Sequence, residues 1–142
     1  MASLYTALNS GDPDAVENAV TQAYQVGLVI DFTPALVDLL KANWHTRHED
    51  IVGALQRLKD PRAIDVLYET ALVVHPYLDY DELFGLARKC TWALADIGTT
   101  EARSKLQKLA QSQNILVTQY AQKRLDRWDE ERHRKGVHSA SQ

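Results

Sequence analysis

His45 and His48 stand three residues apart with Glu49 and Asp50 directly behind them, and His75 follows in a later polar stretch. Imidazole and carboxylate at such spacing are ligand types a zinc ion takes. The pair falls in a turn, however, where histidines most often sit at the surface or cap a helix, and we expect no metal there. Cys90 is the one thiol, placed between Ala87 and Ala93 on an apolar stripe. It reads as a small buried hydrophobe rather than a nucleophile. No glycine-rich phosphate loop, His-Glu-x-x-His, Gly-x-Ser-x-Gly or Cys-x-x-Cys occurs. The residue types thus point away from catalysis and cofactors and toward binding.

Three groups of side chains suit that role. The first is His75-Pro76-Tyr77-Leu78-Asp79-Tyr80-Asp81-Glu82, two tyrosines and three acids between helices. Tyrosine offers a large contact area at low ordering cost, so Tyr77, Asp79, Tyr80, Asp81 and Glu82 are candidate partner contacts. Against this, Tyr77 and Tyr80 can tuck into the core while Asp79 or Asp81 caps a helix beginning near 81, a reading that suits one tyrosine better than both. The second group is a strip. If a helix over 61–74 lies on a concave side, Asp65, Glu69 and Leu72 face away from Ile64 and Leu67. Asp38 and Lys41 continue it, and Arg103 and Gln107 extend it. Asp38, Asp65 and Glu69 are candidates there, although a solvated polar face accounts for them equally well. The third is Trp92, which lies off the 86/90/93/97 stripe beside Arg88, Lys89 and Asp96. Such a tryptophan either packs on a neighbouring repeat or is an exposed anchor; Trp44 and Trp128 read as packing residues.

The elements that position these groups are helical by their period. Leu83, Leu86, Ala87, Cys90, Ala93, Leu94 and Ile97 recur at spacings of three and four, as do Val117, Tyr120, Ala121, Leu125 and Trp128. Shorter stripes are Val16, Ala19, Val20 and Ala23; Ile51, Leu55 and Leu58; and Ile64, Leu67, Tyr68 and Ala71. Asp12-Pro13 and Asp60-Pro61 put an acceptor at the N-cap and proline at the first helical position, and Thr33-Pro34 repeats the device. Gly27 and Gly98 sit where helix ends need a left-handed residue. The boundaries predict about eight helices: 3–9, 13–26, 34–43, 48–58, 61–74, 81–97, 100–111 and 115–131. Mixed charges from Lys123 to Lys135 predict a solvent-facing helical end laced with i,i+4 pairs.

At 142 residues, 45% apolar and 25% charged, the chain suits one domain over 1–135 with a frayed tail over 136–142. Six glycines and four prolines leave little room for the turns of an all-β fold. A lone cysteine, an N-terminus without a basic start before an apolar core, and no apolar run of membrane-spanning length predict a cytoplasmic protein. The net charge of −3 argues against nucleic acid, whose partners usually show a basic face. Five acids (Asp12, Asp14, Glu17, Asp31, Asp38) precede the first base, Lys41. An acidic end like this speeds encounter with a basic partner.

The helices also echo one another. Ala54-Leu55, Leu58, Ala63 and Leu67 return 39 residues later as Ala93-Leu94, Ile97, Ala102 and Leu106. The segments Gly53–Ala63 and Trp92–Ala102, each an Ala-Leu pair, an apolar residue three on, a turn, and Ala in the next helix, resemble HEAT repeats of the phycobilisome-lyase type. Lys59 stands where that pattern has Gly, and Thr99 where it has Asp. The resemblance implies an all-α fold: a short α-solenoid of antiparallel helical pairs, about seven or eight helices in all. It implies architecture rather than activity. Stacked pairs leave a broad surface that mostly binds proteins, so a non-enzymatic protein-binding module is expected. Its most specific form is a bacterial immunity protein, an antidote that occludes a basic toxin. The alternative is a scaffold subunit or self-associating structural piece, and the expected state is a monomer or weak homodimer.

Overall fold

A computed structural model describes residues 2–134, and among them the secondary structure is helical with no strand. The expected tail from Gly136 lies outside the described residues. The helices are α1 (Ala2–Ser10), α2 (Pro13–Val26), α3 (Thr33–Lys41), α4 (His48–Leu58), α5 (Ile64–Ala71), α6 (Gly85–Ile97), α7 (Thr100–Leu109), α8 (Ile115–Asp126) and α9 (Trp128–Arg134), with 3-10 turns at Ile30–Phe32, Pro61–Ala63 and Pro76–Leu78. Consecutive helices pair as α1 with α2, α3 with α4, α5 with α6, and α7 with α8. Across the pairs, α1, α3, α5 and α7 adjoin in one layer and α2, α4, α6 and α8 in the other. This ladder is the expected solenoid of helical pairs. The core runs between the layers without interruption, from Leu4 and Val16 through Leu39, Leu55, Leu67 and Leu94 to Leu106 and Ala121.

The 39-residue echo has a structural counterpart at every position. Ala54 and Ala93, Leu55 and Leu94, Ala63 and Ala102, and Leu67 and Leu106 are all buried, while Leu58 and Ile97 are both half-buried at the helix ends. Both turns leave their helix through a left-handed residue, Lys59 at φ 54° and Gly98 at φ 74°. The next helix is then capped by a side chain: the Arg62 N–H donates to Asp60 Oδ1 at 3.0 Å, and the Ala102 N–H donates to Thr99 Oγ1 at 3.1 Å. Lys59 replacing Gly therefore changes the residue and not the backbone. Asp12 also caps as its spacing predicts, accepting from the Asp14 N–H. Thr33 does not, because a 3-10 turn precedes it and no side chain caps α3.

Three expected elements are corrected. The helix predicted over 81–97 begins only at Gly85, because Phe84 is left-handed (φ 52°) and Asp81 turns the chain by accepting from the Leu83 and Gly85 N–H groups. Leu83, assigned to the apolar stripe, is therefore outside the helix and 67% exposed. The helix predicted over 61–74 opens with a 3-10 turn and stops at Ala71. The one predicted over 115–131 is interrupted at Arg127, where α8 ends and the short α9 begins. The solvent-facing end holds for Lys123, Asp126, Asp129 and Glu130, which are exposed, but not for Arg124, Glu131 and Arg132, which are buried. Arg124 Nη1 donates to Glu131 Oε2 across the break, and its guanidinium lies 3.6 Å over the Trp92 ring. Arg132 stacks 4.3 Å over Trp128 and donates to the Ala95 carbonyl. That carbonyl is among the last four of α6, which lack partners within the helix and carry the negative end of its dipole. Burial lowers the pKa of both guanidinium groups below the ordinary arginine value.

A lysine held at φ 54° is strained where a glycine would rest. Replacing Lys59 by Gly is expected to raise the urea midpoint, adding about 0.5–1 kcal/mol after the glycine's own entropic cost is subtracted. An unchanged or lower midpoint would mean that the lysine side chain contributes contacts worth more than the strain.

Candidate functional site

In a ladder of hairpins the connections segregate to two edges. Residues 27–32, 59–63 and 98–99 join the layers at one edge, mostly through capped tight turns. Residues 11–12, 42–47, 72–84 and 110–114 join them at the other. The 72–84 connection is the longest among the described residues, and it holds five of the nine candidates.

Tyr80 is 81% exposed and Leu83 is 67% exposed, and Leu72, Val73 and Val74 each leave about half their surface in water. Ile115 at the start of α8 is exposed on the same edge. Asp79 and Glu82 flank this apolar cluster and are themselves exposed. The remaining polar groups are structural. The Asp81 carboxylate is taken up by the two backbone N–H groups that shape the start of α6. Tyr77 is half-buried, its hydroxyl donating to His48 Nδ1 at 2.8 Å. The segment thus divides as its alternative reading allows, with one tyrosine inward, one outward, and Asp81 as the cap. Its far end is held by the Tyr120 hydroxyl of α8, which donates to the Leu83 carbonyl at 2.5 Å.

The anchor beneath the loop was not foreseen. His45, His48 and His75 are all buried, not surface residues. Their rings form a stack: His45 to His48 at 4.2 Å between centroids, His48 to His75 at 3.7 Å, with Trp44 edge-on to His45. His45 Nε2 donates to the Leu39 carbonyl at 2.7 Å while its Nδ1 accepts from the Arg47 N–H at 3.0 Å. His48 Nε2 donates to the Ala42 carbonyl at 2.6 Å while its Nδ1 accepts from Tyr77. Each ring thus donates once and accepts once, which is the pattern of a neutral imidazole with its proton on Nε2. The two donated bonds cap carbonyls at the end of α3. Burial holds all three rings below the ordinary histidine pKa, and His48 is lowered to about 4. Parallel rings turn their nitrogens away from a common point, and the described residues contain no group of three or more side chains disposed to hold a metal ion.

The strip candidates lie on the layer of odd-numbered helices. Asp38, Asp65 and Glu69 are exposed, as are Lys41, Leu72, Arg103 and Gln107. The strip is mixed rather than acidic. Lys105 Nζ sits 3.4 Å from Asp65 Oδ1 and 4.9 Å over the Tyr68 ring, and Lys41 shares with Glu69 a hollow of about 170 Å³ that His75 also lines. On the other layer, Trp92 floors a groove of about 250 Å³ between α6 and α8, lined by Arg88, Thr91, Gln119, Tyr120, Lys123 and Arg124. Trp92 is half-buried, with Arg124 stacked on it, so it packs across repeats as the first of its two readings has it. Cys90 is fully buried among apolar side chains, which push its thiol pKa far up.

Residues 86–112, which hold α6, α7 and the turn that joins them, match the family described as PBS lyase HEAT-like repeat. The chain carries a HEAT-like repeat. The match takes in Ala93-Leu94, Ile97, Ala102 and Leu106, the later copy of the 39-residue echo. The earlier copy over α4 and α5 has the same burial and the same turn geometry. HEAT-like repeats generally serve as non-catalytic helical modules for protein interaction or scaffolding. Neither the curated proteins nor the solved structures gave a match to the chain. No helix among the described residues is long and apolar enough to cross a membrane.

A histidine whose folded pKa is below its unfolded value binds fewer protons when folded. Its stabilisation is complete above the ordinary pKa near 6.5 and is lost as pH falls toward 4. Urea unfolding is expected to show stability rising with pH across that window, with at least about 1 kcal/mol lost between pH 7.5 and 5.5 through His48 alone. Most carboxylates stay charged over that interval. Equal midpoints at the two pH values would show that the rings titrate normally.

Proposed function

We propose that the protein is a non-enzymatic docking module, and that it meets its protein partner with the edge formed by residues 72–84. One observation carries this reading: Tyr80, Leu83, Leu72, Val73 and Val74 all stand in water on one segment, held through Tyr77 and the Leu83 carbonyl. Soluble proteins rarely leave neighbouring large apolar side chains exposed without a use. Pinning removes much of the ordering cost that a free loop would meet on binding. Asp79 and Glu82 beside the cluster favour a partner whose matching surface is apolar with basic residues around it. Among the nine sequence candidates, Tyr80, Asp79 and Glu82 are assigned to contact, Tyr77 and Asp81 to holding the loop in place. Asp38, Asp65, Glu69 and Trp92 lie outside this edge.

The specific form of the reading is an immunity protein of the cytoplasm, which occludes a basic toxin and blocks it sterically. The acidic flanks of the loop and the net charge of −3 support it. The same edge buried against a second copy is the scaffold alternative, and light scattering separates the two.

Tyr80→Ala with Leu83→Ser touches no buried side chain, so the melting temperature is expected to stay within a degree or two. Loss of a tyrosine anchor at an interface costs about 2 kcal/mol, roughly thirtyfold in Kd. In crosslinking pull-downs from the native cell, the unaltered chain is expected to recover a basic protein and the double variant to lose it. Equal recovery by both would remove the loop from the interface.

A further inference from the structure

The 72–84 segment rests on the corner between α3 and α4 through aromatic rings, and every ring nitrogen with an assigned partner there is in its neutral state. We propose that His45, His48 and His75 form a proton-operated latch that holds the 72–84 segment down while the rings are neutral and releases it when they take up protons. The proposal concerns how the loop is attached, and it stands whether or not a partner docks on it.

The chemistry follows from the contacts. Protonated imidazole has two donors and no acceptor. A proton on His48 Nδ1 turns the Tyr77 hydrogen bond round, so that the ring donates to a phenol oxygen the His48 N–H already approaches at 3.3 Å. A proton on His45 Nδ1 sets two donors face to face, the ring and the Arg47 N–H. Charge on neighbouring rings 3.7 and 4.2 Å apart is repulsive, and burial gives water little room to screen it. His75 and Tyr77 belong to the loop, whereas His45 and His48 belong to the corner. Lifting the loop therefore separates the like charges and returns His48 and His75 to solvent.

The surrounding charges do not neutralise the stack. Arg47 carries a positive charge beside it and is paired outward with Glu17 at 2.6 Å and with Asp50 at 3.7 Å. On α4, Glu49 and Asp50 lie nearest Tyr77, where they oppose ionisation of its phenol. Lys41 of α3 and Glu69 of α5 line the hollow on one side of His75. Asp81 lines the space on the other side, its oxygens engaged by the Leu83 and Gly85 N–H groups. The hydrogen bonds of the His45 and His48 rings go to carbonyls, an amide and a phenol. The lowered pKa of all three histidines agrees with a stack that resists protons while closed.

Native-state amide exchange tests the latch on the full chain, with rates corrected for intrinsic pH dependence. The amides to follow are Leu78, Asp79 and Asp81, whose N–H groups bond within the loop. The Leu55 and Leu94 amides in α4 and α6 report the core. Between pH 7.5 and 5.5 the loop amides are expected to lose protection on the order of tenfold, and at both pH values to exchange faster than the core amides, whose protection falls only with the global stability. His75→Phe keeps a flat ring in the stack but accepts no proton, and is expected to reduce that loss at least threefold. Tyr77→Phe removes the hydroxyl and with it a contact to His48, and is expected to raise loop exchange at both pH values. Loop protection that does not change with pH, loop amides as strongly protected as the core amides at both pH values, or an undiminished pH response in His75→Phe would each overturn the latch.

Discussion

The molecule depends on α6 being covered from four sides, by α4 and α8 within its own layer and by α5 and α7 from the other. A helix that buries so much of its surface cannot carry large side chains all round, because its neighbours would be held too far away. Accordingly α6 alternates Leu86 and Leu94 with Ala87, Cys90, Thr91, Ala93 and Ala95, all buried. Fully burying a leucine stabilises a fold by about 1.5–3 kcal/mol, but here the burial exists only when the adjacent repeats are in place. The cost of ordering any one helix is therefore met by its neighbours. This sharing accounts for the even run of core residues from Leu4 to Ala121.

Whatever repeats is legible in the sequence, because repetition is imposed by packing. The pairing of Leu55 with Leu94 and of Ala63 with Ala102 marks the same shared contact twice, and the caps at Asp12 and Asp60 satisfy backbone groups that any helix start leaves open. What breaks the repeat is not legible in this way. The left-handed Phe84, the break at Arg127 and the histidine stack each join residues that no helical period relates. For the site, the period could show that 75–82 was a loop rich in tyrosine and acid. It could not show that Tyr77 turns in toward His48 while Tyr80 turns out. The available signal was compositional: two histidines and two tyrosines fall within the two longer connections on one edge, and His48 opens the helix after the first of them.

Charge was the least faithful guide, for a related reason. Along the chain, five acids precede any base, which suggests an acidic end. In space the fold brings bases to that end: Arg47 reaches back to Glu17, and Arg62 donates to the Ile30 carbonyl beside Asp31. The mixed charges near the C-terminus are drawn inward instead, where Arg124, Glu131 and Arg132 close α9 over α6 and α8. Such a buried pair need not add net stability, since its desolvation is expensive, but either partner left alone would be worse. Its effect is to make the end of the solenoid specific, because an apolar closure would tolerate other ways of docking α9.

The two edges of the ladder divide the work between them. At one edge the turns after Leu58 and Ile97 are too short and too well capped to vary without disturbing the helices they join. At the other, the interval between α5 and α6 holds a segment that contributes little to the shared core, with only Leu78 and Phe84 packed against it from the loop. Such a segment can diverge in sequence while the repeats on either side keep their spacing, and loops of this kind are where binding residues accumulate. Its freedom is limited by its anchors. Asp81, Tyr77 and the Leu83 carbonyl fix three points of the backbone, so Tyr80 is presented in one orientation instead of many. One of those anchors, Tyr77, runs through His48. Through that ring, proton uptake by the stack bears directly on how the loop is held.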